Sequence, residues 1–267
     1  MESLSLGIVS DEISSDFAEA VRHGTSWGIR IYELRVLKTG RVPHIEESEL
    51  NKVLDLVQQY RIRISALSPG IFKHQLSKHN ELEAELTQTL PQTFTMAKFL
   101  GASMVIVFGF QREQGEPDSN FNKAVRLLRR AAQQAEQEGF TLLVENEPGF
   151  WCDSGVNTAK LIQAVGSKAF RANWDPCNGF GTSEQPYPDG YEALKPYIGN
   201  VHVKDTLKGS LIQCVPVGEG AIDWKGQIQA LIRDRVVQHV TLETHCLPLI
   251  ENSKRNVNTL QRYMNEQ

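Results

Sequence analysis

The 267-residue chain contains only four cysteines, Cys152, Cys177, Cys214 and Cys246, and no two of them form a C-x-x-C pair. That spacing argues against a zinc knuckle or a disulfide framework and leaves four reduced thiols. No apolar run reaches the roughly 18 residues that a membrane-spanning helix needs. The opening Met-Glu-Ser-Leu-Ser-Leu-Gly lacks both a basic start and a long greasy stretch, so a cytosolic protein without a membrane partner is expected. An excess of one charge is missing too. The 28 Lys+Arg against 32 Asp+Glu give a net charge of −4, and with no basic tail the chain lacks the electrostatic footprint of a nucleic-acid binder. The first apolar run leads into Ser10-Asp11-Glu12 rather than a G-x-G-x-x-G or P-loop, so it offers no nucleotide fingerprint. Pro/Gly/Ser linkers and short repeats are also absent, which argues against a second domain and a solenoid.

What is present is a rhythm of short apolar runs, at 6–9, 29–34, 62–67, 104–108, 141–144, 170–174, 200–203 and 240–242. Most are continuous rather than alternating, as in strands buried on both faces of a parallel sheet. Helical stripes lie between them. One is Leu50, Val53, Leu54 and Val57; another is Leu86, Leu90, Phe94 and Ala97, interrupted by Pro91. The clearest is Phe121, Val125, Leu128, Ala132 and Ala135, with Asn120 placed to cap it and Gly139 to stop it. Eight βα units of this length predict a single-domain α/β protein, a (β/α)8 TIM barrel, with a doubly wound open sheet as the alternative.

In such a barrel the active site lies at the C-terminal ends of the strands. Runs five to eight end in Glu145-Asn146-Glu147, Asp175-Pro176-Cys177-Asn178, His202-Val203-Lys204-Asp205 and Glu243-Thr244-His245. Neighbouring strands are about 4.8 Å apart, so Glu145, Asp175, His202 and Glu243 can converge on one ion. Three carboxylates and an imidazole suit one divalent metal ion, Mn2+, Mg2+, Co2+ or Zn2+, and do not suit Cu(I) or an iron–sulfur cluster. Several charges buried at a barrel mouth would be costly without such a cation. Taken singly, each residue also reads as a strand-end cap or half of a salt bridge; four on consecutive strands argue for the site.

The ordered segments Glu145-Asn-Glu-Pro-Gly, Asp175-Pro-Cys-Asn178, His202-Val-Lys-Asp205, Gly218-Glu-Gly-Ala-Ile-Asp-Trp224 and Leu242-Glu243-Thr resemble the xylose-isomerase-like TIM-barrel superfamily of sugar phosphate isomerases and epimerases. The resemblance spans nearly the whole chain and implies that Glu145, Asp175, His202 and Glu243 bind one divalent metal. It also implies a small-molecule carbohydrate substrate, a ketose or related hydroxycarbonyl compound. Its proton would be exchanged by Glu145 and Glu243 through a cis-enediolate, making both glutamates ligands and catalytic residues.

Around this set the readings stay open. Many relatives carry His where this chain has Glu147, which is either a substrate hydrogen-bond partner or a supporting cap. Lys204 either holds a substrate oxyanion or phosphate or pairs with Asp205 or another nearby acid. Arg35 and Arg112 are candidate phosphate or carboxylate holders among ordinary rim arginines, and Glu33 and His74 are weaker strand-end candidates. Glu219, in the Gly218-Glu219-Gly220 turn, is placed to touch substrate. His245 reads as a packing or supporting histidine. A metal-dependent dehydratase of a cyclic polyol or shikimate-type acid would use the same site. Apurinic-site endonucleases of the superfamily need further zinc ligands, and Asn178, Ile212 and Cys214 stand where they carry His, Asp and His. No nucleic-acid partner is therefore expected, and the oligomeric state is not encoded in any of these motifs.

Overall fold

The computed structural model describes residues 4–209 and 212–266. Its eight parallel strands are β1 (Ser5–Val9), β2 (Ile31–Leu34), β3 (Arg63–Leu67), β4 (Met104–Val107), β5 (Thr141–Glu145), β6 (Phe170–Trp174), β7 (Ile198–Val203) and β8 (His239–Leu242). They close in the order β1-β8-β7-β6-β5-β4-β3-β2, with Gly7 of β1 opposite Thr241 of β8 and Ile31 of β2. The closed ring is the predicted TIM barrel, and the open-sheet alternative is excluded. Each predicted run is a strand, displaced by at most two residues at its ends.

The outer layer is formed by α1 (Phe17–Ser26), α2 (Glu47–Tyr60), α3 (Leu90–Leu100), α4 (Phe121–Glu138), α5 (Gly155–Val165), a short α6 (Tyr191–Leu194), α7 (Trp224–Asp234) and α8 (Leu249–Asn265). Pro91 does not break its stripe, because it falls in the first turn of α3, where the missing N–H has no partner to lose. A π-type turn, Glu85–Thr89, joins that helix to the preceding His79–Ala84 segment. Gly139 ends α4 with φ +80° as expected, but Asn120 does not cap it. The Asn120 amide donates to Glu116 Oε1 at 2.9 Å instead, and a 3-10 turn, Asp118–Asn120, leads into the helix. The sixth crossover departs most from the pattern, having short pieces, Pro176–Gly179, a π-type turn Pro186–Gly190, α6 and a 3-10 turn Lys195–Tyr197, where a full helix is usual. No helix among the described residues is long and apolar enough to cross a membrane.

The main core lies between sheet and helices, and its largest fully buried side chains include Trp174, Trp224, Tyr32 and Tyr191. A separate small cluster of Ala66, Ile106 and Leu143 alternates with Val105, Val107, Leu142 and Val144 of the main core, which places it on the inner face of the barrel. Further up that interior the side chains are polar. Thr241 Oγ1 donates to Asn200 Oδ1 (3.3 Å), Asn200 Nδ2 to Asn173 Oδ1 (2.9 Å), and Asn173 Nδ2 to Glu145 Oε2 (3.1 Å). Register shifts fall between Tyr32 and Glu33 of β2 and between Ala172 and Asn173 of β6. Such irregularities re-aim side chains, and Glu33 and Asn173 both bond to residues of the cluster described next.

Candidate metal centre

Asp175 follows β6 and opens the turn Pro176–Gly179, with Pro176 fixing the first turn position. Its Oδ1 accepts from Cys177 N (2.8 Å) and Asn178 N (3.1 Å), which holds the carboxylate in one orientation and leaves Oδ2 to the barrel axis. Asn146, between Glu145 and Glu147, clamps the same residue through its backbone: Asn146 Nδ2 donates to Asp175 O at 2.7 Å and Asp175 N to Asn146 Oδ1 at 2.8 Å. Glu145 ends β5, where its two oxygens accept from Asn178 Nδ2 (3.2 Å) and Asn173 Nδ2 (3.1 Å).

His202 of β7 and Glu243 beyond β8 complete the group. Glu145, Asp175, His202 and Glu243 are all buried, and each offers a ligand atom within 4.8 Å of the others'. Opposed ligands of a cation bound at about 2.2 Å lie about 4.4 Å apart, so closing by a few tenths of an ångström would seat one ion. Two atoms of the set show that the residues fit a metal. His202 Nδ1 and Asp175 Oδ2 are buried without a hydrogen bond, the latter lying 2.8 Å from the Lys204 ammonium without hydrogen-bond alignment. His202 Nε2 meets Glu33 Oε2 at 2.9 Å while Nδ1 lies 3.6 Å from both Glu145 and Glu243. A proton on Nε2 donated to Glu33 leaves the Nδ1 lone pair facing the carboxylates, the arrangement of a carboxylate–histidine–metal triad.

The charges are strongly interdependent. Burial lowers the pKa of His202, but Glu33, Glu145 and Glu243 outweigh it and hold the imidazole well above its usual value. Burial raises Asp175, against the attraction of Lys204. Burial also opposes ionisation of Glu243, yet Lys204 and His202 hold its carboxyl well below the ordinary range. A divalent cation would compensate these carboxylates in place of a proton on His202 Nδ1.

The structure gives the supporting residues definite places. Lys204 bonds Glu243 Oε2 at 3.0 Å and faces Asp175, while Asp205 is not its partner. Asp205 accepts instead from the backbone of Thr206, Gly218, Gly220 and Ile222. Arg35 is enclosed by acids: Nη1 to Glu243 Oε1 (2.6 Å), Nη2 to Glu12 Oε1 (2.6 Å) and Nε to Asp11 Oδ2 (3.0 Å). It orients Glu243, and each of its three nitrogens already serves an acid. Glu147 stands at the mouth, 3.8 Å from Lys73, and burial followed by repulsion from Glu145 pushes its pKa up to about 7. Glu219 pairs with Arg255 on the exposed rim and is not brought to the cluster. His245 bonds Glu12 through both its backbone N–H and Nδ1, and its Nε2 lies 3.7 Å from Glu243. His74 and Arg112 pair with Glu85 and Asp118. Glu12, 1% exposed, carries no such signal in the sequence beyond being a carboxylate just past an apolar run. Asn173 and Asn200 do carry one: each is an amide inside a strand, between Ala172 and Trp174 and between Gly199 and Val201.

The Xylose isomerase-like TIM barrel family model matches residues 21–267. The chain belongs to that family. No curated protein matches it by sequence. Among solved structures, a probable 3-DHS dehydratase, AsbF, from Bacillus anthracis superposes with a TM-score of 0.82 at 17% identity, covering 97% of this chain and 99% of that one. A D-allulose 3-epimerase from Methylomonas sp. in complex with D-allulose gives 0.79 at 15% identity, covering 98% of each. A family member from Mycobacterium smegmatis in complex with magnesium gives 0.75 at 15%, covering 99% and 97%. At these identities the likeness is one of fold, and the xylose isomerase-like barrel is what the chain shares with them.

Within this barrel Glu33 touches only the inward nitrogen of a ligand, and its removal is expected to act through that nitrogen. Glu33→Gln should lower metal affinity by about 10- to 100-fold, as disturbance of a ligand's hydrogen-bond partner typically does. Metal titration of the variant checks this, and unchanged affinity would show that the His202–Glu33 bond does not orient the ligand.

Proposed function

We propose that the protein is a divalent-metal-dependent isomerase or epimerase of a sugar, sugar phosphate or related hydroxycarbonyl compound. The observation carrying this reading is the buried set Glu145, Asp175, His202 and Glu243, with ligand atoms within 4.8 Å of one another. A cation held there would polarise a carbonyl and its neighbouring hydroxyl and acidify the C–H between them.

The chain's own residues then divide the work. Glu145 and Glu243, from strands on different sides of the cluster, take the proton from carbon and return it, so that the substrate passes through an enediolate. Both glutamates have His202 Nδ1 at 3.6 Å; Glu145 is otherwise bonded by the neutral Asn173 and Asn178 amides, whereas Glu243 is held in addition by two cations, Arg35 and Lys204. Cationic partners reduce the basicity of a carboxylate, so Glu145 is the better base. An abasic-site nuclease fits less well, because the Asn178 amide is already spent on Glu145 and Asn146 O.

One observation favours a dehydratase as the second reading: Glu147, poised to titrate near neutral pH at the mouth, is a plausible proton donor to a departing hydroxyl. Heavy water separates the two. A panel of ketoses and their phosphates, incubated with metal-loaded protein in D2O, should acquire deuterium at the carbon next to the carbonyl without loss of water. Elimination product in place of exchange would favour the dehydratase, and neither exchange nor elimination across the panel would remove the proton-transfer reading.

A further inference from the structure

Every cation around the cluster but one is matched with acid. Lys204 has Asp175 and Glu243, Arg35 has Asp11, Glu12 and Glu243, and Lys73 has Glu147. Arg41 has no carboxylate: among the described residues its one hydrogen bond runs from Nε to Ser68 O at 3.2 Å.

Its position is nonetheless well defined. The two-residue strands Val36–Leu37 and Gly40–Arg41 form a hairpin directly after β2, with Val36 opposite Arg41. Val42 N returns to Arg35 O at 3.1 Å, tying this hairpin to the strand end that bears the Glu243 clamp. The guanidinium packs on Gly70, just past β3, where a Cβ would come within 2.8 Å of Nε and 2.9 Å of Cζ. A side chain at position 70, where φ is +77°, would push the guanidinium aside. Burial and then the nearby Arg35 hold the Arg41 pKa below the usual arginine value, against the attraction of Asp11, Glu145 and Glu243. Arg41 is exposed at the rim, yet its guanidinium is held at Nε, and neither Nη group has a hydrogen bond among the described residues.

A guanidinium fixed in that way offers parallel donors to a planar carboxylate or to two oxygens of a phosphate. We propose that Arg41 is a specificity-determining residue that receives an oxyanion carried by the substrate, which narrows the substrate class to anionic hydroxycarbonyl compounds. The proposal rests on reading the cluster as a hydroxycarbonyl site. It assigns to Arg41 the anion-holding role in place of Arg35, whose three nitrogens each already serve an acid, and it puts the anion at the β2–β3 side of the mouth.

Calorimetric titration of manganese-loaded protein with D-ribulose, D-ribulose 5-phosphate and 2-keto-D-gluconate provides the test. Wild type should bind at least one charged probe about tenfold or more tightly than the neutral ketose, as a charge-assisted hydrogen bond supplies. The phosphate and carboxylate arms tell which oxyanion the site takes. Arg41→Gln should bring all three affinities together, and Arg41→Lys should restore part of the difference by keeping the charge without the fork. A wild type with no preference for charge, or an Arg41→Gln variant that keeps the full preference, overturns the proposal. Metal-dependent binding of D-ribulose with no gain from charge would overturn Arg41's role and leave the cluster reading standing. An Arg41-dependent preference indifferent to metal removal would do the reverse.

Discussion

Glu145→Gln is expected to slow turnover by at least about 10²- to 10⁴-fold, the range typical of losing a general acid or base. The substitution keeps the side-chain length and removes the proton acceptor. It also disturbs the local bonding in a known way, because both oxygens of Glu145 accept from amide donors, Asn173 and Asn178. A glutamine can satisfy one of them and must face the other with its own NH2 group. Metal content therefore has to be measured beside the rate, and the comparison made on metal-replete protein. Glu243→Gln should be as damaging to catalysis, but it also deprives Arg35 and Lys204 of a shared carboxylate, so Glu145 gives the cleaner experiment. Near-normal turnover and undiminished deuterium exchange in metal-replete Glu145→Gln would sink the paired-glutamate mechanism and leave the metal assignment intact.

The second large effect is on the metal itself. Asp175→Ala and His202→Ala should each lower metal content by more than the 10- to 100-fold typical of disturbing a ligand's supporting shell, since each removes a ligand outright. They should differ in their side effects. His202→Ala leaves Glu33 buried opposite an empty volume without the one side-chain hydrogen bond it makes among the described residues, and an uncompensated buried acid typically costs several kcal/mol. Asp175→Ala removes the acceptor for Cys177 N and Asn178 N as well, a further loss of about 1 kcal/mol. Elemental analysis of protein purified without chelator, with a thermal melt alongside, checks both variants. Full retention of metal in the two would mean that the ion is held elsewhere.

The barrel was legible in the sequence because a strand buried on both faces must be apolar at consecutive positions, and eight such runs stood clear of helical stripes. The candidate ligand types were legible because three come directly after their runs, at 145, 175 and 243, and His202 lies one residue before its run ends. What lay beyond reach were partnerships across the barrel. Glu33 and His202 are 169 positions apart, and Arg35 and Glu243 are 208 apart; neither spacing leaves a periodic trace. Arg35 thus read as a free anion holder, whereas the fold surrounds it with three carboxylates. Glu219 read as a substrate contact from its glycine-flanked turn, yet the turn faces outward to Arg255. Asn120 shows a smaller version of the same limit. Its residue type suits a cap, but an acceptor four residues earlier took the amide.

Asp205 has one more consequence. Its carboxylate gathers the N–H groups of Gly218, Gly220 and Ile222, and a side chain at position 220 would collide with it, a Cβ there lying 2.1 Å from Asp205 Oδ1. The bonds immobilise the turn before any ligand arrives. Trp224 Nε1 adds a bond to Lys204 O at 2.9 Å, so the backbone beneath the buried lysine is fixed from the same side. Ordering a loop during binding normally subtracts conformational entropy from affinity. On the β7 flank that cost has already been met in folding.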